Sequence, residues 1–326
     1  MNFYEQLVGQ AGSNFYRYAP IYQSGSSPYA LSTRDDALPY ADKVQALADA
    51  VCEADAILVG AASGLSSAAG FDFYYGDTPS FHKLFGKYGE KYGYTGTFDG
   101  IYYPYRRREE FWGFLLALLH YNLHAPAGQT YLDLDALLQG KPFHVLTTNQ
   151  DTQFTRLYPE EKLSSIQGDF RFFQCSRPCC DEVFDARELI DTLYSQIDDD
   201  LNLPADKIPR CPHCGAEMSW WVRGPEFLQG KRYHEQYDKT ASFIAAHEQE
   251  KLLFLELGVG RMTPMFIQEP FWNLTLNLPQ ARYISINAKD ALLPQQLEAR
   301  GTAIRADLAQ VLADARAEVE RRRAGA

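Results

Sequence analysis

The sequence has few of the features that mark membrane, nucleic-acid-binding or secreted proteins. No apolar run in its 326 residues reaches the ~18 residues that a bilayer-spanning helix requires. Acidic residues outnumber basic ones, 42 to 31, and the net charge of -11 argues against nucleic acid as the main partner, since phosphate binding requires a basic surface. The N-terminal segment has no basic stretch followed by an apolar one, which disfavours a secretory signal. We therefore expect a cytoplasmic protein that binds neither membranes nor nucleic acid.

Cysteine is also scarce, and six residues are too few for a disulfide-stabilised scaffold. Five of the six nevertheless lie between positions 175 and 214, in the pattern C-x3-C-C followed by C-P-H-C-G. Two close pairs can supply four thiolates to one tetrahedral zinc ion, although free thiols are the alternative. We predict a structural Zn²⁺ site formed by Cys175, Cys179, Cys211 and Cys214, with Cys180 as the substitute for Cys179.

Short apolar segments alternate with helical segments along most of the chain. The predicted strands are 56–60, 143–148, 252–257 and 282–287. The predicted helices are 41–54, 110–123, 240–250 and 306–323. Brief apolar strands separated by helices are typical of a parallel sheet that is covered on both faces. The predicted fold class is therefore α/β, with a Rossmann-like parallel sheet domain and an inserted small zinc-binding domain.

This alternation also suggests how the chain is divided. Residues 1–40 show little periodicity, and we interpret them as an N-terminal extension that wraps the body. Residues 41–168 and 233–326 are assigned to the Rossmann-like domain. The interval 169–232 contains the clustered cysteines and interrupts the alternation, so we assign it to the small zinc-binding domain.

Polar or glycine-containing segments follow each of the four predicted strands. In parallel sheets, ligands bind outside the carboxyl ends of the strands. The stretch HVLTTNQDTQF (144–154) changes from apolar to polar at Asn149, and GAASGLSSAAGFDF (60–73) is built from small residues that allow backbone N–H groups to approach a pyrophosphate. The segments LELGVGRMTP (255–264) and SINAKD (285–290) end the other two strands. Each could be an ordinary turn, but together they favour a dinucleotide-binding crevice.

These motifs, in the order in which they follow one another along the chain, resemble those of a sirtuin over roughly residues 45–320. The stretches GAASGLSSAAGF, TTNQDTQF, QGDF, WVRGP and LGVGRMTP resemble the macrodomain-linked, class M branch, which is associated with protein ADP-ribosyl transfer. The resemblance implies NAD as the cofactor, a protein acceptor related to lipoyl-carrier proteins such as the glycine-cleavage H protein, and a macrodomain hydrolase as functional partner. It implies that NAD contacts Gly60, Ala61, Ser63, Gly64, Ser66, Phe71, Asp151, Gly258, Val259, Gly260, Thr263 and Asn287.

The resemblance also assigns roles to individual residues. Asn149 would orient the nicotinamide ribose and Asp151 the carboxamide, whereas Gly258, Thr263 and Asn287 would hold the adenosine half. The implied catalytic residues are Asn149, Gln167 and Arg223. Arg223 could pair with a phosphate or an acidic acceptor, or it could be a surface arginine beside two tryptophans.

The departures from the family pattern bear on the reaction. Ala62 and Tyr74 stand where most sirtuins have glycine and arginine, and Gln167 stands where deacylating sirtuins have histidine. A deacylase needs a base to deprotonate a ribose hydroxyl, and such help contributes about 10²–10⁴ in rate. Glutamine cannot supply it, so the sequence predicts an NAD-dependent protein ADP-ribosyltransferase. The alternatives are a slow deacylase that uses another base, an NAD glycohydrolase and a non-catalytic NAD sensor.

Overall fold

The computed structural model of the protein describes residues 1–24 and 26–325, and two sheets organise it. The strands are β1 (Ala56–Ala61), β2 (Phe143–Thr147), β3 (Leu163–Ser165), β4 (Gly168–Cys175), β5 (Val183–Asp185), β6 (Met218–Val222), β7 (Leu252–Leu257), β8 (Arg282–Ile286) and β9 (Gly301–Ile304). Six of them form a parallel sheet in the order β3-β2-β1-β7-β8-β9. The other three form an antiparallel sheet in the order β5-β4-β6. The predicted α/β fold class with a parallel sheet is confirmed.

Thirteen α-helices lie among the described residues; some cover the two faces of the parallel sheet, and others pack against the small sheet. They are α1 (Phe3–Arg17), α2 (Ala19–Gln23), α3 (Tyr40–Glu53), α4 (Ser63–Ala68), α5 (Pro79–Tyr92), α6 (Thr97–Tyr102), α7 (Arg108–His124), α8 (Gln129–Leu138), α9 (Gln153–Leu157), α10 (Arg187–Tyr194), α11 (Lys231–His247), α12 (Gln268–Asn277) and α13 (Leu308–Gly325). Short 3-10 helices occupy Arg34–Ala37, Glu160–Lys162, Ala205–Lys207, Pro264–Phe266 and Gln295–Leu297. Among the described residues, no helix combines the length and apolar character needed to span a membrane.

The sequence of β1 explains why the sheet is buried on both faces. Successive side chains of a strand point to opposite faces, and every residue of β1 is buried. Ile57 and Val59 pack into one core with residues of α3, α8 and α13, whereas Leu58 packs into a second core with residues of α11 and α12. An apolar strand without polar alternation therefore belongs at the centre of this sheet.

The four strands predicted from the sequence are present as β1, β2, β7 and β8, to within a residue at their ends. The prediction missed β3 and β9, the two edge strands, which have only three and four residues. Helix α11 begins at Lys231, whereas the predicted helix begins at 240. The first turns of α11 are rich in charged residues, so their apolar pattern is weak.

The N-terminal segment contains more regular structure than its sequence suggested. Helix α1 begins after Asn2, whose side chain accepts a hydrogen bond from the backbone N–H of Glu5 at 2.9 Å. Its buried face, which includes Tyr4 and Val8, packs in the same core as α11 and α12. The sequence did not predict this helix, since Gly, Ser and Asn residues dilute its apolar stripe.

Candidate active site

A hydrogen-bonded cluster lies where strand β2 ends. The side-chain amide nitrogen of Asn149 donates to the backbone oxygen of Ala62 at 3.0 Å and to the hydroxyl of Tyr131 at 3.4 Å. The carboxylate of Asp151 accepts hydrogen bonds from the hydroxyls of Ser66 at 2.5 Å and Tyr131 at 2.7 Å. Because Tyr131 contacts both polar side chains, the amide and the carboxylate are held as one unit.

The carboxyl group of Asp151 is buried, and burial raises its pKa because the charged form loses its hydration. Hydrogen bonds from Ser66, Tyr131 and the backbone N–H of Gln153 oppose that rise by stabilising the carboxylate. The carboxyl group of Asp151 is thus a hydrogen-bond acceptor held in a fixed position beyond the carboxyl end of β2. Such an acceptor can orient the amide of a ligand.

The first turn of α4, directly after β1, touches the loop that follows β7 through its backbone. The N–H of Gly64 donates to the backbone oxygen of Gly258 at 3.1 Å, and a Cβ on Gly64 would lie 2.6 Å from the Cα of Gly258. Gly258 itself has a φ of +67°, a conformation that L-residues with side chains rarely adopt. Both glycines are therefore required for this contact, which brings two of the predicted ligand-binding loops together.

The other residues predicted to contact the cofactor after β1 differ in their surroundings. Gly60 and Ala61 are buried within β1, and a Cβ on Gly60 would lie 2.3 Å from a side-chain carbon of Ile267. Packing therefore accounts for this glycine without a ligand. Ser63 is exposed at the start of α4, whereas the buried Phe71 packs against other aromatic rings.

Gln167 lies at the start of the antiparallel sheet, directly before β4. Its backbone oxygen accepts hydrogen bonds from the N–H of Arg223 at 2.9 Å and from the side chain of Gln150 at 3.3 Å. Gly168 has a φ of +90°, and a Cβ there would lie 2.0 Å from the backbone oxygen of Trp221. The half-buried side-chain amide of Gln167 makes no hydrogen bond to the described part of the chain, which leaves it available to a ligand.

Aromatic rings surround Arg223. Its guanidinium carbon lies 5.0 Å, 5.5 Å and 5.2 Å from the ring centres of Phe227, Tyr233 and Phe266, and it donates to the hydroxyl of Tyr233 at 3.2 Å. Its Nε atom is buried and has no hydrogen-bond partner among the described residues. These contacts hold the partly buried guanidinium in place, and its binding of a phosphate or an acidic acceptor stays a prediction.

The side chain of Asn287, after β8, connects two loops. Its amide nitrogen donates to the backbone oxygen of Val259 at 2.9 Å, and its oxygen accepts from the backbone N–H groups of Lys289 and Asp290 at 2.9 Å and 3.1 Å. The amide thus already has partners within the protein. It stays a prediction that the adenosine half of a dinucleotide contacts Asn287, Val259, Gly260 or Thr263.

Comparisons with known proteins identify the fold and the family. No family model matches the sequence. The fold is similar to the crystal structure of a Sir2 homologue–NAD complex, with a TM-score of 0.56 and 14% identity over 85% of this chain and 94% of that one. A structure solved to study sirtuin substrate affinity gives a TM-score of 0.55 and 17% identity over 84% of this chain and 98% of that one. A protein ADP-ribosyltransferase from Staphylococcus aureus is 31% identical over 277 residues, which are 84% of this chain and 87% of that protein. The chain belongs to the sirtuin-type protein ADP-ribosyltransferases.

A second relative of this sirtuin is longer. It is a probable bifunctional ADP-ribose hydrolase/ADP-ribosyltransferase from Fusarium oxysporum f. sp. cubense, 29% identical over 273 residues. The match covers 79% of this chain but only 45% of the fungal protein.

Histidines of this sirtuin lie away from the cluster around Asn149. His144 is buried in β2, where it contacts the hydroxyl of Ser164 at 2.7 Å. The other six contact carboxylates elsewhere: His82 with Asp77, His120 and His124 with Asp191, His213 with Glu182, His234 with Glu5, and His247 with Glu250. None of these contacts reaches Asn149, Asp151 or Gln167, so the structure offers no histidine in place of the base that Gln167 lacks.

Four cysteines of the sirtuin come together at the far end of the small sheet. The sulfur atoms of Cys175 and Cys214 lie 3.6 Å apart, as do those of Cys179 and Cys211, and all four lie within 4.8 Å of one another. Tetrahedral zinc with Zn–S bonds of about 2.3 Å would space its sulfur ligands by roughly 3.8 Å. The four thiols therefore fit zinc, and Cys180 lies outside this set.

Sequence analysis missed Tyr131, which links Asn149 to Asp151. Tyr131 lies on α8, in the segment QTYLDLDALL, and its fully buried ring packs with the apolar core. An aromatic residue at helical spacing is indistinguishable from other core residues in a sequence. Only the folded structure, in which α8 lies beside the end of β2, reveals that the hydroxyl of Tyr131 reaches the site.

Proposed function

We propose that this protein cleaves NAD between nicotinamide and ribose and transfers ADP-ribose to a nucleophile on an acceptor protein. In this reaction the C–N bond to nicotinamide breaks, a bond from the acceptor to the ribose C1′ forms, and any proton of the acceptor passes to solvent. The observation that carries the proposal is the intact cluster of Asn149, Tyr131 and Asp151 beside a glutamine, Gln167, that cannot act as a base. The Staphylococcus aureus relative is named for this activity.

The geometry favours one orientation of NAD in the crevice. The exposed Ser63 and the backbone of the loop after β1 would contact the pyrophosphate, and the residues after β7 and β8 would contact the adenosine half. The nicotinamide end would then lie beside Asn149 and Asp151. The carboxylate of Asp151 can accept a hydrogen bond from the carboxamide, while Asn149 and the free amide of Gln167 can hold the ribose as the C–N bond breaks.

The same arrangement restricts the acceptor. Without a titratable base beside Gln167, a nucleophile that is already ionised near neutral pH is favoured over one that must first lose a proton. The backbone N–H of Arg223 donates to the backbone oxygen of Gln167, and the guanidinium N–H donors that remain without a partner could bind a carboxylate of the acceptor. We therefore favour an acidic segment of the partner protein as the site of modification.

Zinc and the partner proteins complete the proposal. The four clustered cysteines would bind one Zn²⁺ and stabilise the small sheet, at a distance from the chemistry. Gly168 and Cys175 are the two ends of β4, and seven steps of roughly 3.3 Å separate them by about 23 Å. The acceptor would be a lipoyl-carrier protein, and a macrodomain hydrolase would remove the modification. The name of the fungal relative, which couples hydrolase and transferase, supports the second partner.

The experiment that tests the function is intact-mass analysis of candidate acceptor proteins after incubation with the enzyme and NAD. The proposal expects one added ADP-ribose on the acceptor, and no addition with an Asn149→Ala enzyme. Nicotinamide release at the same rate with and without any acceptor, and no labelled protein, would instead indicate a glycohydrolase. Removal of acetyl groups from lysine peptides at a rate similar to ADP-ribosyl transfer would contradict the role given to Gln167.

A further inference from the structure

Helices α7 and α10 bring two histidines and an aspartate together outside the crevice. The stretch HYNLH at the end of α7 places His120 and His124 one helical turn apart on the same face. Asp191 on α10 faces them: its Oδ1 lies 2.7 Å from Nε2 of His124 and 3.8 Å from Nε2 of His120. The potential ligand atoms of the three residues all lie within 4.8 Å of one another.

We propose that His120, His124 and Asp191 bind a divalent transition-metal ion, with Zn²⁺ as the ion that suits them best. Two imidazoles and one carboxylate, with water in the fourth position, are a common ligand set for tetrahedral zinc. Bonds of about 2.0–2.2 Å would space the ligand atoms by roughly 3.3–3.5 Å. The observed separations of 2.7 Å and 3.8 Å lie on either side of that spacing, so small side-chain rotations are sufficient.

The position of His120 distinguishes a metal site from a simple ion pair. A pair between His124 and Asp191 would explain those two residues but not the ring of His120, which makes no hydrogen bond within 3.5 Å to the described residues. That ring is stacked on Tyr194 of α10, with ring centres 3.9 Å apart and planes 12° from parallel.

The ion would connect two parts of the chain that are distant in sequence. Helix α10 follows β5 of the small sheet, whereas α7 precedes β2 of the parallel sheet. Tyr121, next to His120, packs against Phe71 and Phe73 in the segment after α4. The site shares no residue with the four-cysteine cluster, so the two can be occupied independently.

Titration of the purified full-length protein with Co²⁺, followed by absorption spectroscopy, tests the proposal. Cobalt at this site should give weak visible bands without the intense thiolate-to-cobalt charge transfer that the cysteine cluster would produce. Isothermal titration with Zn²⁺ should show one ion bound in addition to the zinc already present in the protein. The His124→Ala and Asp191→Asn variants should each weaken that binding at least about tenfold, since the first removes one ligand and the second removes the negative charge of another.

His247→Ala is the matched control, because His247 contacts Glu250 at 2.7 Å without a third ligand beside them. It should bind the additional ion like the wild type. The wild type, but not His124→Ala, should also gain thermal stability when Zn²⁺ is added. Equal Zn²⁺ affinity in the wild type and in both site variants would overturn the proposal, as would cobalt spectra that contain only the thiolate signature.

Discussion

Replacing Tyr131 with Phe removes one oxygen atom from a fully buried ring and leaves the packing of α8 unchanged. The hydroxyl donates to the carboxylate of Asp151 at 2.7 Å and lies 3.4 Å from the amide of Asn149. Hydrogen bonds to charged groups contribute about 1.5–3 kcal/mol, so we expect the free energy of unfolding to fall by that amount. If the same energy is lost from the transition state, nicotinamide release slows roughly 10–100-fold.

The pH dependence of the Tyr131→Phe enzyme should change in a defined direction. Burial already raises the pKa of Asp151, and the hydrogen bond from Tyr131 opposes that rise. Loss of the bond raises the pKa further. Since the proposed role of Asp151 requires the carboxylate, activity is lost as the pH falls through this pKa. The acidic limb of the rate profile should therefore move to higher pH in the variant.

Tyr88→Phe provides the control, because Tyr88 is also buried but its hydroxyl donates to the neutral backbone oxygen of Gly113 at 3.0 Å. It should lose about 0.5–1.5 kcal/mol of stability and retain its rate of nicotinamide release. Chemical denaturation and a nicotinamide-release assay across pH measure both effects. If Tyr131→Phe keeps both the wild-type rate and the wild-type acidic limb, Tyr131 is only a structural residue and the reasoning fails.

Four further measurements test the remaining assignments. Asp151→Ala should weaken the binding of NAD but not that of ADP-ribose, which lacks nicotinamide; equal losses in calorimetry would reverse the proposed orientation. Gln167→Ala should slow turnover while the affinity for NAD falls by only about 0.5–1.5 kcal/mol, and Gln167→His should not raise lysine deacylation in a peptide assay. Burial raises the pKa of Glu256 to about 7, so the native state binds this proton more tightly than the unfolded chain. The free energy of unfolding should therefore decline as the pH rises from about 4.5 to 7. Urea titrations should show a smaller decline for Glu256→Gln. Purified protein should contain one zinc per chain, and Cys211→Ser should lose both the metal and thermal stability; a metal-free wild-type protein with four titratable thiols would refute the site.

The parts of the fold that the sequence reveals are those in which local pattern and burial agree. β7, with six consecutive buried residues, appears in the sequence as the segment LLFLEL, which is apolar except for Glu256. β9 does not, because three of its four residues are only partly buried and pairing with β8 alone gives them strand geometry. Tertiary pairing, rather than propensity, defines such an edge strand.

The candidate site also has residues that the sequence can predict and residues that only the folded structure reveals. Asn149 and Asp151 can be predicted as candidates from the sequence because polar residues at the end of an apolar strand conflict with burial. The requirement for glycine at position 258 could not be derived, since it depends on the close approach of Gly64, nearly two hundred residues earlier in the chain. The stacking of three rings on Arg223 depends likewise on segments that meet only in the folded protein.

The place of β1 between β2 and β7 constrains the order in which the protein can fold. β1 is complete at residue 61, but its partner on one side, β7, ends at residue 257. During synthesis one edge of β1 therefore remains unpaired until most of the chain has emerged, and the loop after β1 has no Gly258 against which to form. Such distant pairing slows folding and exposes an apolar edge to aggregation in the meantime. A nascent chain of this protein therefore exposes this apolar edge until its second half has been made.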